Sequence, residues 1–167
     1  MYFSFEGINM NWQEVCENPN LKNLPFKIEL NEYGQVIMSP MKVLYSLLQG
    51  EIERLLIHFV SSGKIFPECA IYTTNGTKVA DVVWVSDERL QQIKYETECS
   101  IAPEICIEVL SDSNTEREMM IKKQLYFQQQ AQEFWLCDQQ GKMRFFNPKS
   151  ELLHSELIPQ FPNSIDI

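Results

Sequence analysis

Pro103-Glu104-Ile105-Cys106-Ile107-Glu108-Val109-Leu110-Ser111 is the stretch whose reading decides the fold. A proline opens it and a compact apolar run follows. Apart from Glu108 no polar residue interrupts that run, so both of its faces belong indoors. A strand buried on both faces marks a sheet covered by helices, unlike the alternating strands of a sheet with one wet face. A carboxylate in such a run costs roughly 2–5 kcal/mol unless a cation, a metal or hydrogen bonds compensate it.

Working outward, Ser113-Asn114-Thr115-Glu116 has the spacing of a capping box, with Ser113 and Glu116 as the reciprocal pair. A helix is expected from there to about residue 130. Two further strands, 133–137 and 142–146, flank the turn Asp138-Gln139-Gln140-Gly141. The tail 150–167 is irregular and is broken by Pro159 and Pro162. Upstream, strands over 64–73 and 77–85 are joined by Asn75-Gly76, the strongest short hairpin signal because both residues tolerate positive φ. Residues 86–102 read as a loop with a helical turn. Leu44, Leu47, Leu48, Ile52, Leu55, Leu56 and Phe59 recur at three- and four-residue spacing, which predicts an amphipathic helix opened by Ser39-Pro40 and ending near Val60. Before it, strands over 26–30 and 35–38 flank Asn31-Glu32-Tyr33-Gly34, and a short helix is expected over 11–17. The fold class is α/β of the mixed α+β kind, a mixed central sheet flanked by helices.

The chain has 167 residues, enough for one domain that hides roughly two-thirds of its unfolded surface. We divide it into an N-terminal extension with a short helix, 1–25, and a domain over 26–167. No apolar run approaches the roughly 20 residues of a membrane span, and Met1–Asn11 has no leader pattern. Five cysteines, an odd number with none at C-x-x-C spacing, point to reduced thiols in the cytoplasm. The two histidines, His58 and His154, give little support to a Ser-His-Asp, Cys-His or histidine-metal site, and His58 reads as a packed helix residue. Fourteen basic residues against 23 acidic ones leave a net charge of −9. That argues against a nonspecific nucleic-acid coat or an anionic-membrane binder, and leaves room for a local basic groove.

Three charges stand in the wrong places. Glu108 is one. Asp81, within Val79-Ala80-Asp81-Val82-Val83-Trp84-Val85, is another, since aspartate is among the poorest strand formers. Period-two alternation puts it on the face of Val79, Val83 and Val85. The third is the pair Lys122-Lys123, set in a helix that is apolar around most of its circumference; spacing alone leaves the two lysines equal. Two carboxylates on neighbouring strands can share a hard divalent cation. A nearby ammonium can then orient an attacking water or stabilise a phosphorane-like phosphate. The competing reading is a structural ion-pair network with no catalysis.

These fragments together resemble the Uma2 family of the PD-(D/E)xK restriction-endonuclease-like superfamily. The matching pieces are Gly34-Gln35-Val36-Ile37-Met38-Ser39-Pro40, Val79-Ala80-Asp81-Val82-Val83, the stretch from Ala102 to Ser111, Ser113-Asn114-Thr115, Leu125-Tyr126-Phe127, Glu133-Phe134-Trp135-Leu136-Cys137-Asp138 and Phe161-Pro162. The resemblance implies a restriction-endonuclease-like mixed central sheet flanked by helices. It implies a nuclease hydrolysing phosphodiester bonds, with Asp81 and Glu108 holding Mg²⁺ or Mn²⁺. It selects Lys122, four residues before Tyr126, as the lysine that positions or polarises the attacking water. In the superfamily's basic pattern that lysine stands two residues after the acid, where this chain has Leu110. Ala80 replaces a proline, Gln130 a glycine, and Tyr45 a histidine. Glu51 is a further acid beside the matching Gln49-Gly50. The implied partner is nucleic acid, DNA rather than RNA, with a homodimer as the assembly. The alternative is a catalytically inactive nucleic-acid-binding or regulatory module, motivated by Tyr45 and the net charge. Arg117, Lys122 and Lys123 concentrate positive charge near the site, so weak, strongly salt-sensitive and metal-dependent binding is expected, or a partner that supplies affinity.

Overall fold

The structure, a computed structural model, describes residues 9–167; the leader reading over residues 1–11 falls largely outside that range. Six strands form a mixed sheet in the order β3 (Lys64–Ile71), β4 (Lys78–Val85), β5 (Ile105–Val109), β6 (Glu133–Cys137), β7 (Met143–Phe146) and β8 (Glu151–Leu152). Only β5 and β6 run parallel. A parallel pair needs a crossover, and α4 (Glu116–Gln128) supplies it. Every residue of β5 and β6 is buried, as the apolar reading of residues 105–110 requires.

Two cores lie on the sheet. In one, Met119 and Tyr126 of α4 and Ile93 of α3 (Asp87–Ile93) pack with Val83, Cys106 and Phe134. In the other, Leu48, Ile52 and Leu56 of α2 (Val43–Phe59) pack with Val82, Ile107 and Trp135. The irregular tail closes this second core with Ile158, Phe161 and Ile165. Glu133 pins it there, accepting hydrogen bonds from Ser155 Oγ at 2.7 Å and from the Glu156 and Leu157 amides. A separate hairpin of β1 (Phe26–Leu30) and β2 (Val36–Pro40) builds a small third core with Val15 of α1 (Trp12–Glu17).

Several local expectations are corrected. Ser39-Pro40 ends β2 instead of opening α2, because the hairpin register runs from Leu30↔Val36 out to Phe26↔Pro40. The box at α4 is Thr115 with Glu118: Thr115 Oγ1 accepts from the Glu118 amide and Glu118 accepts from the Thr115 amide. Ser113 and Asn114 instead close the preceding turn on Ser111. Residues 87–93 form the helix α3, capped by Ser86. His58 is exposed, not packed.

The correction that matters for function is at Asp81. Ala80 packs in the same core as Val83 and Val85, while Val82 packs in the other. The strict alternation of the strand therefore slips at Asp81. On β3, Glu68 stands between Pro67↔Val82 and Cys69↔Ala80 and has φ 55. The register is the same on both sides of it, and the β4–β5 register, with Val82↔Ile107 and Val83↔Cys106, sets Asp81 opposite Glu108.

Candidate active site

Asp81 and Glu108 come from adjacent antiparallel strands. Asp81 Oδ2 accepts the Val109 amide at 2.7 Å, which fixes the aspartate beside the glutamate's own strand. Glu108 is 1% exposed. Its Oε1 accepts from Lys122 Nζ at 3.1 Å and from the Tyr126 hydroxyl at 2.6 Å. Lys122 and Tyr126 are four apart on α4, so one helix face delivers both. The structure thus brings Glu108 and Lys122 into contact and sets Asp81 beside them.

What joins Asp81 to Glu108 is a residue the sequence did not single out. Lys27 Nζ lies 2.7 Å from Asp81 Oδ1 and 3.2 Å from Glu108 Oε2. Glu29, two residues on along β1, holds Lys122 Nζ at 2.7 Å and accepts the Val79 amide at 2.7 Å. In Phe26-Lys27-Ile28-Glu29-Leu30 both charges fall on one face, which reads as the wet face of a hairpin. That face turns inward because the hairpin docks over β4: the Leu30 amide donates to Thr77 O at 2.9 Å, and Lys78 Nζ donates to Leu30 O at 3.0 Å. The only sequence signal was the pair of charges itself, and an exposed strand shows the same pair.

Electrostatics set the two glutamates apart. Burial pushes the Glu108 carboxyl up to about 7, against the pull of Lys122 and Lys27. Burial acts the same way on Glu29, but Lys122 and Lys27 outweigh it and hold that carboxyl at about 2. Burial alone would lower Lys27; Asp81, Glu108 and Glu29 together hold it well above the ordinary lysine range.

The cluster opens into a cavity of ≈ 280 Å³ whose walls include Tyr45, Glu68, Lys78, Ser111, Asn114 and Leu125. Tyr45 faces it and accepts the Asp112 amide at 2.8 Å, tying α2 to the loop after β5. Glu51 pairs with Arg54 on its own helix and takes no part. Nor do the other two cations expected here: Lys123 sits over the Phe146 ring at 4.5 Å, and Arg117 is exposed and outside the cavity. Among the described residues no three His, Cys, Asp or Glu side chains gather as a metal cage. The donor set suits an ion that takes one or two carboxylates and completes its shell with water and phosphate oxygens. The fit is visible in Lys27, whose ammonium shows that Asp81 and Glu108 converge on one point able to hold a cation.

Comparisons with known proteins agree with this architecture. A search of curated proteins gives no match. A crystal structure described as a "putative nuclease belonging to DUF820" from Anabaena variabilis is similar in fold, with TM-score 0.67 and 21% identity over 85% of this chain and 82% of that one. The Uma2 family, described as "putative restriction endonuclease", matches residues 12–161. That span takes in the Lys27 strand, the Asp81 strand, the buried Glu108 strand and the Lys122 helix, and the chain belongs to the Uma2 family.

Proposed function

We propose that this protein is a divalent-metal-dependent nuclease that hydrolyses phosphodiester bonds of nucleic acid, with DNA as the first substrate to test. The observation that carries the reading is the convergence of Asp81 and Glu108 on one cation position with Lys122 on the same glutamate. Asp81 Oδ1 and Glu108 Oε2 would hold Mg²⁺ or Mn²⁺. When bound, that ion supplies an activated water and a Lewis acid for the phosphoryl oxygens. The chain's own contribution is positional. The Val109 amide fixes Asp81, Tyr126 fixes Glu108, and Lys122 offers an ammonium to the attacking water or to the phosphate. A homodimer working in the cytoplasm completes the proposal.

Cleavage of labelled DNA and RNA in Mg²⁺ and in Mn²⁺ tests it. Asp81→Asn and Glu108→Gln are each expected to lower the rate by about a hundredfold or more. Cleavage that is unchanged in both variants sinks the assignment. One observation favours a second reading, a nucleic-acid-binding or regulatory module without turnover: Lys27 pairs with both acids. Nucleic-acid binding with no cleavage in any divalent ion selects that reading.

A further inference from the structure

Each of the two acids has one oxygen engaged by its scaffold and one that is not. Asp81 Oδ2 is held by the Val109 amide, and Glu108 Oε1 by Lys122 and Tyr126. The remaining oxygens, Asp81 Oδ1 and Glu108 Oε2, are the two that Lys27 binds. A Mg²⁺-sized ion bridging them would stand about 2.0–2.1 Å from each. An ammonium within 3.2 Å of both overlaps that position. Lys27 and a bridging ion therefore exclude one another.

Lys27 is also mounted so that it can leave. It belongs to β1, outside the six-stranded sheet, and the hairpin keeps its own small core of Val15, Leu30 and Val36. Its side chain is 16% exposed and borders the cavity. Glu68, exposed on the wall of the same cavity, has among the described residues only Gln49 within hydrogen-bonding range, at 3.3 Å. That carboxylate offers the displaced ammonium a second resting place.

We propose that Lys27 is a displaceable cation plug: its ammonium occupies the Asp81–Glu108 position, and a divalent ion binds only by expelling it toward Glu68. This rests on the metal site of the nuclease reading, yet it concerns binding alone. A plug that fills the site nine-tenths of the time weakens apparent metal affinity by about tenfold.

Two measurements without nucleic acid test it. Mn²⁺ affinity, read from the electron paramagnetic resonance of free Mn²⁺, is expected to rise about tenfold or more in Lys27→Met. In the unaltered protein, acetylation of Lys27 mapped by mass spectrometry is expected to be slow in chelator and faster in saturating Mn²⁺. The second readout does not depend on how well the variant folds. Equal or weaker Mn²⁺ binding by a folded Lys27→Met overturns the plug. So does Lys27 acetylation that ignores Mn²⁺, or a wild-type protein that takes up no Mn²⁺. Cleavage assays fail separately: a protein that passes both binding tests but cuts nothing keeps the plug and loses the nuclease, and a Mn²⁺-dependent cutter with inert Lys27 does the reverse.

Discussion

Glu108 and Glu29 share Lys122 as a partner yet titrate on opposite sides of an ordinary glutamate. The difference is depth and company. Glu108 lies in a strand buried on every side, and Asp81 and Glu29 add to the burial in pushing it up. Glu29 sits at the hairpin edge with a backbone amide and two lysines, and their pull wins. Linkage turns these shifts into opposite pH effects. Glu108 titrates at about 7 against an ordinary 4.5, so its contribution to stability is complete below pH 4.5 and is lost as the pH rises through about 7. Glu29 titrates at about 2 against 4.5, so its contribution is complete above pH 4.5 and is lost as the pH falls through about 2. Urea unfolding across this range should show Glu108→Gln levelling the decline on the alkaline side and Glu29→Gln levelling it on the acid side. Identical pH slopes in wild type and both variants would show that neither carboxyl is perturbed. Of the two glutamates only Glu108 announced itself, because a charge inside an apolar run is anomalous wherever the run lies. Lys27 and Glu29 alternate with apolar neighbours as any surface strand does.

At the scale of elements, the hairpin β1–β2 decides whether the cluster is complete, and its attachment turns on Gly76. That glycine has φ +77, and an added Cβ would meet Asn31 O at 2.2 Å and Leu30 O at 2.4 Å, both backbone atoms of the hairpin. Gly76→Ala therefore meets both backbone strain, of about 1–3 kcal/mol, and a clash that pushes the hairpin off β4. A fall in Tm of about 2–4 °C per kcal/mol is expected for a chain of this size. Lys27 and Glu29 should also become more reactive to acylating or carbodiimide reagents. A variant with unchanged Tm and unchanged labelling would mean that the hairpin is held elsewhere. Asn75-Gly76 was readable as a turn between β3 and β4, since its two residues suit positive φ. Its second duty, seating another hairpin, was not, because only tertiary contact reveals what a missing Cβ makes room for. The same limit explains the other element errors. The slip in β4 lies across from Glu68, whose φ of 55 is a backbone feature that a two-residue hydrophobic period cannot carry. The burial of β5 on both faces was foreseeable because it shows in composition, whereas capping depends on which of several adjacent Ser, Asn and Thr residues directly precedes the helix.

For the whole molecule, the net charge of −9 now has a geometry. The sequence placed Arg117, Lys122 and Lys123 together, but Lys123 is committed to Phe146 and Arg117 is exposed and does not line the cavity. The cations that line the cavity are Lys27, Lys78 and Lys122, and Lys42, which does not line it, is paired with Asp112. Two of the three cavity lysines are held by Glu29, Asp81 and Glu108. Few phosphates can be neutralised by so small a set. Each neutralised phosphate of a duplex contributes about −0.9 to the slope of log K against log salt. Two or three contacts therefore give a slope of about −2 to −3, shallower than a grouping of basic residues along α4 would produce. Binding of a labelled duplex, followed by fluorescence anisotropy against salt with Ca²⁺ or Mn²⁺ present, measures that slope. Removing the divalent ion should abolish binding at physiological salt, because without it Lys27 is taken up by the two acids and the cluster offers the phosphate no net positive charge. Sedimentation velocity run alongside shows whether one cleft or two enter the count, since a dimer engaging one duplex through both clefts doubles the slope. A slope steeper than about −6, or tight binding in chelator, would place the nucleic acid on a surface other than this cavity. The Asp81–Glu108 cluster would then stand as an ion-pair network inside the domain.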